Sequence, residues 1–218
     1  RHPAMDDFWC RFLVAEAGVA VVNVDYLAAP RVRYPVAQEQ THDVLAWLSE
    51  SAGEWGLDPD RISIGGFSGG GNLAASACLQ ARDNGTATPR LQLLGVPSLD
   101  VAGDVRSKPS VVSNPMIGPA LLNLVRKTYF KNASRRSEPY ASPLLAESVA
   151  GLPPAVIYTA EYDSLRAEGD AYAARLAGER LLVEHRVVLG RDHYFLDPDR
   201  PEQARELMSA MASHVRTA

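Results

Sequence analysis

Two periods of apolar and polar residues alternate along this chain. Five runs are nearly continuous in β-branched and other apolar residues: VAVVNVDY (19–26), RISIGGFS (61–68), LQLLGVPS (91–98), AVIYTAEYD (155–163) and LLVEHRVVL (181–189). Runs of this kind predict parallel strands buried on both faces. Between them the spacing changes to three and four. DDFWCRFLVAEAG (6–18) gathers Phe8, Phe12 and Leu13 on one side, opens on two acids and stops at Gly18, as a helix does. Residues 36–56 gather Val44, Leu45, Trp47 and Leu48, residues 165–179 stack Leu165, Tyr172 and Leu176, and residues 201–218 start on Pro201 and stack Leu207, Met208, Met211 and Val215. These are amphipathic helices by the same rule. One helix followed by repeated strand–helix units predicts an α/β fold, a mostly parallel sheet with helices on both faces.

One connection is too long for a simple crossover. From Gly103 to Pro154 the chain carries Pro109, Pro115, Pro119, Pro139 and Pro143 and a further helix candidate, GPALLNLVRKTYF. Long connections in compact domains tend to be functional, so the expectation is a single domain over 1–218 with a lid or pocket excursion at about 103–154.

Composition narrows the partners. Of 218 residues, 22 are basic and 26 acidic, for a net charge of −4. There is no basic stripe for nucleic acid, and no apolar run reaches the length of a membrane span. A small molecule is the expected partner. Cys10 and Cys78 fall in helical, apolar stretches, which reads as buried thiols in a reducing, cytoplasmic setting rather than a disulfide framework. The chain opens on RHPAMDDFW rather than on methionine; the expectation is that its N-terminus is cut.

The candidate chemistry centres on Gly66-Phe67-Ser68-Gly69-Gly70, a G-x-S-x-G motif that follows a predicted strand and opens a predicted alanine-rich helix. That setting is a nucleophile elbow. Glycines flank the serine because a Cβ would collide with the neighbouring strand or helix, and the serine itself takes a strained conformation. The Gly69 amide and the helix dipole are placed to stabilise an oxyanion. A serine hydroxyl needs a base, and the base needs an orienting acid. In an elbow fold these follow in the order acid, then histidine, at the ends of later strands. Of five histidines, His2 is at the terminus, His42 is in an upstream helix, His185 is within a strand and His214 is in the last helix; His193, in VVLGRDHYFLD, follows a late strand. Asp163 ends the preceding strand and is the first-choice acid, with Glu161 as its rival; Asp192 adjoins His193 too closely to turn back to its ring.

With these residues identified, the chain resembles the hormone-sensitive-lipase-like branch of the α/β-hydrolases, the bacterial carboxylesterases of that group. FWCRFLVAEAGVAVVNVDY and DYLAAP resemble the helix and strand that lead into that family's D-Y-R-L-A-P phrase, and YPVAQEQTHDVLAWL continues the likeness. LDPDRISIGGFSGGGNLAA is similar to its D-P-x-R-I-x-x-G-D-S-A-G-G-N-L-A block, PYASPLLAESVAGLPPAVIYTAEYDSLRAEGDAYAARL to its aspartate phrase, and GRDHYF to its H-G-F. The resemblance implies the triad Ser68, Asp163 and His193, no cofactor and no metal. It implies a serine carboxylesterase acting on small, uncharged acyl esters; the alternatives are a non-catalytic or lyase-type member of the fold, or an inactive fragment of an esterase. A homodimer through 181–189 and 201–216 is a further family trait. Phe67, Met116, Ile117, Leu121 and Tyr194 are candidates for the substrate pocket.

Three departures stand out. Phe67 replaces the family's acidic residue before the nucleophile, Gly69 replaces alanine after it, and Tyr194 replaces the glycine after the histidine. The family's H-G-G oxyanion motif is absent from the sequence. The family strand that precedes it belongs between the runs ending at Tyr26 and Ser68. A gap there leaves backbone donors and acceptors unpaired in the core, so the expectation is that the natural protein has residues upstream of Arg1.

Overall fold

The computed structural model describes residues 6–108, 110–197 and 199–218; the reading of His2 lies outside them. Four of the five apolar runs become strands. They are β1 (Ser63–Phe67), β2 (Leu91–Gly95), β3 (Ala155–Ala160) and β4 (Leu182–Val188), all parallel, in the spatial order β1-β2-β3-β4. The fifth run, 19–26, forms no strand. It has the apolar sequence of a strand but no ladder partner among the described residues, and hydrogen bonding to a neighbour is what makes an extended segment a strand.

The helices are α1 (Asp7–Ala17), α2 (Val36–Ser51), α3 (Gly69–Asn84), α4 (Pro119–Thr128), α5 (Arg166–Gly178) and α6 (Pro201–Thr217). Their ends follow local chemistry. Gly18 and Gly85 close α1 and α3 in the left-handed region, where an L side chain is strained, while Pro119 and Pro201 open α4 and α6 with a fixed φ.

The two-residue period of a strand sorts the sheet's side chains onto two faces. Leu94 and Ile157 join Cys78 and Leu79 of α3 and Tyr172 and Leu176 of α5. Leu93, Val156 and Tyr158 join Trp9 of α1 and Met211 of α6 on the other side. Helices thus cover both faces, as the pattern predicts. Full burial of such side chains contributes about 1.5–3 kcal/mol each, and β3, buried along its whole length, is the centre of both layers. Cys78 is buried at the heart of the first face, where loss of solvent pushes its thiol pKa up, whereas Cys10 is only partly buried.

Residues 103–154 leave the sheet after β2 and return at β3. They contain α4 and three short 3-10 turns, and α4 buries none of its residues. The excursion is held at its root by an ion pair between Lys108 and Glu168 of α5, both buried; Lys108 Nζ also donates to the Asp100 carbonyl at 2.5 Å and the Leu99 amide donates to Glu168 Oε1 at 2.9 Å. Burial raises the Glu168 pKa to about 7, with Lys108 only partly offsetting it.

Candidate active site

β1 hands the chain to α3 through one residue, Ser68, whose φ of 54° and ψ of −117° lie in a region that side chains rarely occupy. Strain of this kind persists only where the surroundings hold it. The Ser68 amide donates to the Gly95 carbonyl at 2.8 Å, and the Ser68 carbonyl accepts from Asn72 at 3.1 Å and from Ser98 at 3.2 Å. The turn is tight enough that a Cβ on Gly66 would lie 2.4 Å from the Gly70 carbonyl carbon. Any side chain at 66 would therefore push the elbow open. The first amides of α3, beginning at Gly69, precede the first helical acceptor and remain available to an anion.

Asp163 and His193 arrive on the loops after β3 and β4. The His193 Nδ1–H donates to Asp163 Oδ2 at 2.8 Å, and the Leu165 amide donates to the other oxygen, Oδ1, at 3.0 Å. The Asp163 side chain is fully buried and that of His193 is 8 % exposed. A carboxylate on Nδ1 places the proton there and leaves Nε2 as the acceptor. His193 and Ser68 line the same cleft, about 1000 Å³ in volume, together with Gly69 and Gly70. Residues 19–24 and Tyr26 line it as well.

The rival acids are engaged elsewhere. Glu161 Oε2 accepts from the Gly190 amide at 2.6 Å, and Asp192 accepts from the amides of His193 at 2.8 Å and Met116 at 2.7 Å. The other described histidines have their own partners: His42 meets Thr86, His185 meets Asp170, and His214 meets Glu184. Among the described residues no group of three or more His, Cys, Asp or Glu is arranged to hold a metal ion.

The pocket candidates divide. Phe67 and Tyr194 line the cleft beside Ser68 and His193; Met116, Ile117 and Leu121 do not. Met116 and Leu121 are exposed, and Ile117 is buried against the Asp163 loop, its carbonyl accepting from Ser164 Oγ at 2.7 Å. Membership of one excursion did not bring these three to the serine, because their packing turns them to solvent or to another loop.

Two supporting sets escape a reading of the sequence. Asn72, one turn into α3, donates to the carbonyls of Ser98 and Ala141 at 2.8 and 2.9 Å and accepts from Gln38, which in turn accepts from Tyr129 at 2.6 Å. This network ties the back of the elbow to α2 and to the excursion. Its signal in the sequence is the place of Asn72 inside the GGFSGGGNLAA block, which does not say what the amide meets. Arg191, 8 % exposed at its side chain, donates to Asp197 and Gln203 at 2.9 Å each and braces the histidine loop from within. A charge buried to that degree is costly unless paired, so the pairing holds the loop's shape.

The alpha/beta hydrolase fold profile matches residues 1–197. A carboxylic ester hydrolase of Mycobacterium tuberculosis, LipN, is 34% identical over 96% of this chain, and an arylesterase of Saccharolobus solfataricus is 33% identical over 96%. The chain spans 58% of the first and 69% of the second. Among solved structures, an esterase of Pyrobaculum calidifontis aligns with a TM-score of 0.90 at 33% identity, over 97% of this chain and 70% of that one. Carboxyl esterase 2 of Tuber melanosporum aligns at 0.92 and 28% identity, over 100% and 74%. A match running over residues 1–197, with relatives about a third identical across nearly all of it, means that this chain belongs to the alpha/beta hydrolase fold family, in its hormone-sensitive-lipase-like branch.

Proposed function

We propose that the protein is a serine carboxylesterase that hydrolyses small, uncharged acyl esters through an acyl-enzyme. The observation that carries this reading is the 2.8 Å contact of Asp163 with His193 Nδ1, on a cleft shared with a serine held in an elbow. Ser68 Oγ attacks the ester carbonyl while His193 Nε2 takes its proton. The developing oxyanion is met by the Gly69 amide, and the imidazolium is stabilised by the buried Asp163 carboxylate. Collapse expels the alcohol, which takes the proton from His193; water then attacks the acyl-enzyme by the same route and restores Ser68. No cofactor enters these steps.

The preference for uncharged substrates rests on the cleft wall beside the serine, where Phe67, Gly69, Gly70 and Val96 carry no charge. In this reading residues 103–154 belong to one domain with the sheet and act through the loops of Asp163 and His193, to which they are bonded, since none of them lines the cleft beside Ser68. The buried Cys78 thiol suits a reducing, cytoplasmic setting. A homodimer through β4 and α6 is also part of the reading: β4 ends the sheet's strand order and exposes Val183, and an open edge can pair with a second copy.

The test is hydrolysis of p-nitrophenyl acetate and butyrate by the purified protein and by Ser68→Ala. Loss of at least about 10³-fold in kcat is expected in the variant. Turnover that survives Ser68→Ala, or a wild-type protein that hydrolyses neither ester, overturns the reading.

A further inference from the structure

Residues 110–117 run past both catalytic loops and are bonded to each. Ser110 Oγ donates to the Tyr162 carbonyl at 2.9 Å and Ser164 Oγ donates to the Ile117 carbonyl at 2.7 Å; both bonds end on the loop that carries Asp163. The third runs to the loop that carries His193. There the Met116 amide donates to Asp192 Oδ2 at 2.7 Å, while Asp192 Oδ1 accepts from the amide of His193 itself at 2.8 Å. One carboxylate therefore joins two backbone amides that lie far apart in sequence.

We propose that Asp192 is a positioning residue for His193, acting as a staple between the excursion and the histidine loop; the proposal rests on the serine-hydrolase reading of the site. Bonds from backbone N–H to an ionised carboxylate are about twice as strong as neutral ones. With both oxygens committed, the Asp192 side chain cannot rotate without breaking a bond. The imidazole is then held from two directions. Asp163 fixes its Nδ1, and Asp192 fixes the backbone from which the ring hangs. Arg191, paired with Asp197 and Gln203, braces the same loop against α6, while Asp192 ties it to the excursion. The adjacency that keeps Asp192 from reaching the ring of His193 is what lets it bind the amide. Its role is to keep Nε2 within reach of Ser68, and small misplacements of a catalytic group cost rate steeply.

The staple separates from a merely structural contact in its effect on turnover and on the imidazole proton. In the purified protein, Asp192→Ala is expected to lower kcat on p-nitrophenyl butyrate by roughly tenfold or more, with KM within about twofold of wild type. Asp192→Asn keeps the size and one acceptor oxygen, and is expected to fall between the two. The downfield proton NMR signal of His193 Nδ1–H is expected to shift or broaden in Asp192→Ala while the thermal midpoint stays near that of wild type. The proposal is overturned if kcat in both variants stays within about twofold of wild type and the signal is unchanged. Should the wild-type protein hydrolyse no ester, the esterase reading fails but the proton signal still decides: unchanged in both variants, the staple is refuted; altered in either folded variant, it stands. Should Asp192→Ala not fold, Asp192→Asn alone decides by the same two readouts.

Discussion

VAVVNVDY and AVIYTA are equally strand-like as sequences, yet they have opposite fates. Residues 155–160 form β3, paired on both sides with β2 and β4 and buried at every position. Residues 19–26 are not a strand, no residue among them is fully buried, and Val22 is 43 % exposed. The two differ in what lies beside them. β3 has a ladder on each edge and helices on each face; most of 19–26 instead lines the cleft that Ser68 also lines. An apolar run supplies the tendency to be extended, and the neighbours supply the hydrogen bonds that realise it. β1 itself is intermediate: it pairs with β2 on one side and opens to the cleft on the other, so the strand that carries the nucleophile is only partly covered.

Hydrogen exchange tests the β3 side of this contrast. Amides of 156–160, laddered on both edges, are expected to exchange only on global opening, with protection set by the full stability of the protein. Faster exchange there would mean that β3 opens locally. A smaller effect is expected from truncation. Ile157→Ala, at a wholly buried position, should cost about 2–5 kcal/mol, whereas Val22→Ala should stay within about 0.5 kcal/mol, both read from denaturant midpoints. A large cost at Val22 would mean that 19–26 is packed as tightly as a core strand.

The smallest effect concerns the root of the excursion. Burial raises Glu168 to about 7 in the folded protein, above the usual carboxylate range it keeps when unfolded. The folded state thus holds more protons than the unfolded state between those two values, and stability from this group is lost as pH rises through about 7. Glu168→Gln should flatten that part of the stability–pH curve, a change read by thermal unfolding between mildly acidic and neutral pH. An unaltered slope would show that Lys108 keeps the carboxylate ionised throughout.

The chain's own order of residues was enough to identify the type of fold and all four strands of the sheet, though it also marked 19–26, which forms none, because a fold type and a strand tendency depend on a local period. It also singled out Ser68, Asp163 and His193, since a glycine-flanked serine between strand and helix, and two polar residues closing later strands, are patterns visible without coordinates. Sequence order made Asp163 the first choice but left Glu161 as its rival; tertiary structure gives their carboxylates, two residues apart, different donors, the His193 ring and the Gly190 amide. It alone separated Phe67 and Tyr194, which reach the cleft, from Met116, Ile117 and Leu121, which do not. It alone gave Asn72 and Asp192 their partners. The reason is the same in each case: a side chain's direction and a strand's partner are set by groups distant in sequence, and a local pattern carries no record of them.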